Sequence, residues 1–100
     1  MLPRLIEEAS RHPLGSQQNP VRVNMPPGER AYLNRLRCSD GSAPGYIRVG
    51  NGGPGVFGSI VDIYDVRCSN GEPRESQIWM DMYHPTHDET AAPPGFTIVP

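Results

Sequence analysis

The segment HPTHDE brings His84, His87, Asp88 and Glu89 together within residues 84–89. A His-x-x-His pair beside carboxylates is ligand chemistry for zinc or a similar ion. The set falls short of a complete site. A third ligand has to come from the carboxylates or from elsewhere, and Pro85 stiffens the segment. A polar, solvated loop is the simpler reading, so His84, His87 and Asp88 stand as weak metal candidates, and no cofactor is expected. Asp62 and Asp81 supply two further carboxylates, the residue type that works in pairs in glycoside hydrolysis. The sequence does not fix their separation, and acids on strands mostly face solvent. Serines and histidines occur without a G-x-S-x-G elbow. No catalytic residue is assigned. A small hydrolase or metal-dependent enzyme built on segment 81–89 is the alternative reading.

The stretch WMDMY, residues 79–83, is the main surface candidate. On a strand, Trp79, Asp81 and Tyr83 share one face, while Met80, Met82 and His84 share the other. With the Met row inward, two aromatics flank a carboxylate on the surface, an arrangement common where proteins or sugars bind. With the aromatic row inward, Asp81 is buried and needs a partner, a role that suits an Arg. The row Ile78, Met80, Met82 is unbroken and apolar, whereas Gln77 and Asp81 interrupt the other, which favours the first arrangement. Trp79, Asp81 and Tyr83 are therefore the candidate binding surface.

GNGGPG, residues 50–55, satisfies G-x-G-x-x-G through Gly50, Gly52 and Gly55. A dinucleotide fingerprint needs a helix next and a βαβ unit around it. Pro54 lies inside the motif and VFGSIVDIYDV follows with strand character, so the segment reads as a glycine loop between strands. All nine basic residues are Arg. Without Lys there is no Schiff base, P-loop lysine or Ser–Lys dyad. Abundant Arg, Gly and Pro fit a GC-rich bacterial genome. The net charge of −2 lacks the basic excess of a phosphate-tracking domain, so nucleic acid is not an expected partner. Seven Arg oppose four acids in residues 1–50, and two Arg oppose seven acids in residues 51–100. Two halves lying side by side and complementing each other account for this more simply than a dipolar surface. No apolar run approaches the roughly 18 residues of a membrane span. Arg4, Glu7, Glu8 and Arg11 break up any apolar signal-peptide core in MLPRLIEEASRH.

The only two cysteines sit in a repeated phrase, RCSDG at 37–41 and RCSNG at 67–71. Each reads as the end of a strand running into a turn, where Asp or Asn and then Gly suit turn conformations. The spacing is too wide for a CxxC-type metal or redox site. A Cys38–Cys68 disulfide suits a small Gly- and Pro-rich domain with a thin core, outside the reducing cytosol. Free thiols would instead point to the cytoplasm. Two strands of a flat meander separated by a third lie roughly twice 4.8 Å apart, whereas bridged Cα atoms lie within about 6.8 Å. The bond therefore requires a strongly bent sheet, a partial barrel or a crossover.

These residues need elements to position them. Leu2, Leu5, Ile6 and Ala9 recur at helical spacing, which predicts a helix over 3–12, stopped by Pro13 and Gly15. Residues 15–20 form a linker, so 1–20 is a helical preface to a β-rich domain, 21–100. Segment 21–25 reads as a short edge strand ended by Pro26–Pro27–Gly28. Segment 31–38 is open: a helix groups Tyr32, Leu33 and Leu36, while the following Asp-Gly turn favours a strand returning through 46–49. Segments 59–68, 77–84 and 95–99 complete about five antiparallel strands, with 59–68 the strongest. The expected fold is mainly β, or α+β: a short N-terminal helix, then a bent sheet or small partial barrel with one disulfide. The expected function is a non-enzymatic binding or inhibitor-like domain, periplasmic or extracellular, acting on another protein.

Overall fold

In the computed structural model, which describes residues 1–100, α1 spans Leu2–Ala9 and β1 spans Val21–Arg22. They are followed by α2 (Met25–Asn34), β2 (Leu36–Arg37), β3 (Gly45–Pro54), β4 (Ile60–Arg67), β5 (Glu75–Asp81) and β6 (Thr97–Ile98). The main sheet has the order β1-β5-β4-β3 and is open, with β1 and β3 as its edges. β3, β4 and β5 form an antiparallel meander. β1 adds to β5 in parallel, with Val21 opposite Met80. That one pairing departs from the all-antiparallel expectation. β2 and β6 form a separate antiparallel ribbon.

α1 starts with Pro3 in its first turn, where a missing N–H costs nothing. It ends earlier than expected, at Ala9, the only residue of the helix that is buried. The linker after it is packed. The Gly15 carbonyl accepts the Trp79 N–H at 2.7 Å, and Pro20 is buried.

The largest correction concerns 25–38. The expected strand over 21–25 stops at Arg22, and the strand reading of 31–38 gives way to α2, leaving only Leu36–Arg37 extended. Pro26 and Pro27, read as strand punctuation, occupy the opening turn of α2. Met25 makes the corner with φ +62°. The reason for the helix lies in burial. Glu29, Tyr32, Leu33 and Leu36 all lie inside, at 0%, 3%, 0% and 0% exposure. Positions i, i+3 and i+4 put Glu29, Tyr32 and Leu33 on one helical face, with Leu36 following in β2, whereas a strand would send Tyr32 and Leu33 to opposite sides.

That face covers Tyr64 and Val66 of β4 and Ile78 and Met80 of β5. Together with Val21, Val23, Cys38, Cys68 and Phe96 they make the core. The Met row of β5 thus faces inward at Met80. β4 is the central strand of the meander, matching its strong β propensity.

Cys38 and Cys68 are bonded, with Cα atoms 6.0 Å apart. Because α2 carries the chain off the sheet, Cys38 reaches Cys68 from the β2 side and not across an intervening strand. The two repeated phrases dock on each other. Ser39 N–H donates to the Glu72 carbonyl at 2.8 Å, and Glu72 N–H donates to Ser39 Oγ at 2.7 Å. Their glycines serve different ends. Gly41 has φ +88°, as a turn residue. Gly71 has no positive φ; a Cβ there would come within 2.8 Å of Asp40 Oδ1 and 3.0 Å of Asp40 N. No helix of the chain is long and apolar enough to cross a membrane.

Candidate functional site

α2 and β4 bring together a buried acidic pair that the sequence reading did not single out. Asp62 and Tyr64, two apart on β4, point to the face that α2 covers. Tyr64 donates its hydroxyl to Glu29 Oε1 at 3.0 Å. Arg48 Nη2 donates to Asp62 Oδ1 at 2.9 Å from the neighbouring strand β3. Glu29 Oε2 is buried without a hydrogen-bond partner. Desolvation, reinforced by the Asp62 carboxyl beside it, pushes the Glu29 pKa up to about 8, against the opposing pull of Tyr64 and Arg48. Glu29 therefore keeps its proton at neutral pH, with Oε2–H available to Asp62. Burial and the nearby Glu29 charge push the Tyr64 hydroxyl up to about 12. A proton-sharing acid pair is acid–base machinery where a substrate can reach it. Here Glu29 and Asp62 are 0% and 7% exposed. Neither lines a surface hollow. The pair is part of the core.

The residues expected to carry chemistry are dispersed. Asp62 lies opposite Met80, so the pleat sends Asp81, the next residue along β5, to the other face. Asp62 and Asp81 cannot flank one bond. Asp81 is fully buried; its Oδ1 accepts the Tyr83 N–H at 3.1 Å. Its Oδ2 lies 3.3 Å from His84 Nε2, without the alignment of a hydrogen bond. The His84 ring also meets the Phe57 ring edge-on at 5.3 Å. His87 turns away to Glu89, 3.0 Å from its Oε1. Asp88 extends into solvent beside Arg35. His84 and His87 thus serve different carboxylates, and no three His, Cys, Asp or Glu side chains are gathered as a metal ion requires.

The aromatic–carboxylate–aromatic row does not form as one exposed patch. β5 ends at Asp81, so alternation stops before Tyr83. Tyr83 is exposed and Asp81 is buried. Trp79 is half-buried, lying over Gly52, where a Cβ would fall 2.3 Å from the ring. The glycine segment is not a loop: Gly50, Gly52 and Gly53 are in β3, and β4 follows without a helix. The dinucleotide geometry is absent.

The open surface lies on β3. Its pairing with β4 is regular from Gly45 to Arg48 and irregular between Arg48 and Gly50 and between Asn51 and Pro54. Its other side has no neighbouring strand. Ile47 is 72% exposed and Val49 56%. A hollow of about 400 Å³ lies beside them, lined by Gly45, Tyr46, Ile47, Asp65 and Arg67. In the sequence, YIRV reads as an ordinary strand. Its signal as an edge was the run of glycines after it, which bulged edge strands tolerate.

Comparison with family models, with curated proteins and with solved structures finds no match for this chain.

Proposed function

We propose that this chain is a non-enzymatic protein-binding domain, acting in the periplasm or outside the cell, and that the unpaired edge of β3 is its contact surface. The exposure of Ile47 and Val49 on that edge carries the reading. Natural sheets usually blunt an open edge with charge, bulges or a covering segment. β3 has bulges only beyond Arg48, and it leaves Ile47 open beside a hollow. An added strand obtains main-chain hydrogen bonds from such an edge and specificity from side-chain pockets. The Cys38–Cys68 bond supports an oxidising compartment. The hydrolase or metal-enzyme alternative needs His84, His87, Asp81 and Asp62 in one place, whereas only His84 and Asp81 meet, His87 lies against Glu89 and Asp62 is held by Arg48.

The test uses the wild type and an Ile47→Lys, Val49→Lys variant as baits in the extracytoplasmic fluid of the producing cell. The expected result is a protein that binds the wild type, not the variant, and does so again with purified components. Partners recovered equally by both baits would remove the β3 edge from the interaction.

A further inference from the structure

We infer that the occupant of the β3 edge is a second copy of this chain, paired antiparallel about a two-fold axis through Ile47. The inference rests on the reading of β3 as the contact edge and adds the identity of the partner.

The register follows from the geometry of the strand. A two-fold axis that pairs a strand with its own copy runs perpendicular to the sheet, so opposed residues share a face. The axis must then pass through a residue, and the regular stretch ending at Arg48 offers Tyr46, Ile47 or Arg48. An axis at Arg48 sets two guanidinium groups against each other, and like charges directly opposed are unfavourable. An axis at Tyr46 sets Arg48 against Pro44 and leaves Ile47 facing only Gly45. An axis at Ile47 places Ile47 on Ile47, Tyr46 opposite Arg48 twice, and Gly45 opposite Val49 twice.

Each of those pairs matches a feature of the single chain. Gly45 has open space where a Cβ would stand, and it borders the hollow of about 400 Å³. Val49 of the second copy is the side chain this register delivers there. Val49 lies in the irregularity between Arg48 and Gly50 and opposes no residue of β4, so β4 does not hold it in register. On the other face, the Arg48 side chain is 50% exposed while held by Asp62, so it can lie against the Tyr46 ring of the second copy. The irregularity that begins after Arg48 ends the pairing at Val49 and keeps it to about five residues a side. The product is one continuous sheet of eight strands, β1-β5-β4-β3 and its two-fold mate. So short a contact belongs with the small, weak class of interfaces.

The experiment is sedimentation equilibrium of the native, disulfide-bonded chain from about 10 µM to about 1 mM. The wild type is expected to pass from the mass of one chain to that of two. Ile47→Lys and, separately, Gly45→Leu are expected to weaken association about tenfold or more. A Cβ at Gly45 meets nothing within 4 Å in the single chain, and a urea midpoint equal to that of the wild type is the control that Gly45→Leu keeps its fold. An Ile47→Cys variant is expected to crosslink under mild oxidation, because directly opposed Cβ atoms lie about 4.5–5.5 Å apart. Asn51→Cys, four residues from the axis, is expected not to. A single-chain mass throughout the range overturns the self-pairing while leaving the bait experiment to judge the edge. A dimer indifferent to both Ile47→Lys and Gly45→Leu overturns it by locating association elsewhere.

Discussion

The Tyr64 hydroxyl donates to Glu29 Oε1 at 3.0 Å inside the core, tying α2 to the central strand β4. This bond sits in the most pH-sensitive part of the molecule. Glu29 has its pKa raised from 4.5 to about 8, by burial first and by Asp62 second. The folded state therefore holds a proton that the unfolded chain releases near 4.5. The associated stability is complete below that value and declines as pH rises through about 8. Glu29→Gln cannot ionise and can make the same contacts. Between pH 5 and pH 9 the wild type is expected to lose stability relative to this variant, on the order of a few kcal/mol. Urea midpoints at the two pH values measure it. Parallel shifts in both proteins would mean that Glu29 is not protonated in the fold.

Tyr64→Phe removes the donor and leaves Glu29 Oε1 buried without a partner. An unsatisfied buried acceptor costs about 1–3 kcal/mol, to be read from the same midpoints. The Tyr64 bond also holds the Glu29 pKa down, so its loss is expected to raise that pKa further. Carboxyl-carbon NMR titration of the variant reads this second effect, which a loss of packing alone would not produce.

The disulfide closes a separation of 30 residues. Loop entropy assigns such a closure about 3.5 kcal/mol, a large share of the ~5–15 kcal/mol that stabilises a typical domain. The Cys38→Ala, Cys68→Ala variant is expected to show that loss by urea unfolding. Intact-mass measurement of the native protein, alkylated without reductant, is expected to show no added groups. Two added groups would contradict an oxidising compartment.

Trp79 is the only tryptophan, and its ring occupies the space above Gly52. Gly52→Ala sets a methyl 2.3 Å from ring carbon Cζ3. The ring must move or β3 must shift. Overpacking of this kind costs about 1–3 kcal/mol. The expected readout is a red-shifted, more quenchable tryptophan emission together with a lowered urea midpoint. An unchanged spectrum would show that the ring does not rest on Gly52.

The strands with a clear period of two were legible from residues alone. The segments 59–68, rich in β-branched and aromatic residues, and 77–84, its return, match the antiparallel pair β4 and β5, although β5 begins at Glu75 and stops at Asp81. The disulfide was legible because two cysteines in a thin-cored chain have few other uses. The region 25–38 was misread because Pro26, Pro27 and Gly28 mark the start of a helix and the end of a strand equally well. Its period of 3.6 became decisive only once Glu29 joined Tyr32 and Leu33 on one buried face of α2. A glutamate is not counted as a core residue from sequence, since burying it requires the proton and the Tyr64 bond that the fold supplies.

The candidate site followed the same division. The sequence by itself determined which side chains were present: the aromatic row, the paired histidines, the glycines and the single cysteine pair. It left open which row of 77–84 is buried, although the unbroken row Ile78, Met80, Met82 favoured the Met side. Tertiary structure decided everything that depends on distance between segments. It set Asp62 opposite Met80, so the pleat sends Asp81 to the other face, where it is buried. It set His84 and His87 on different carboxylates. It also left β3, and not β5, at the edge of the sheet. Neighbour order is set by where α2 and the disulfide carry the chain, a long-range outcome that local propensity does not encode. A residue such as Ile47 has the same sequence signature on a central strand as on an edge, and only its missing neighbour makes it a surface.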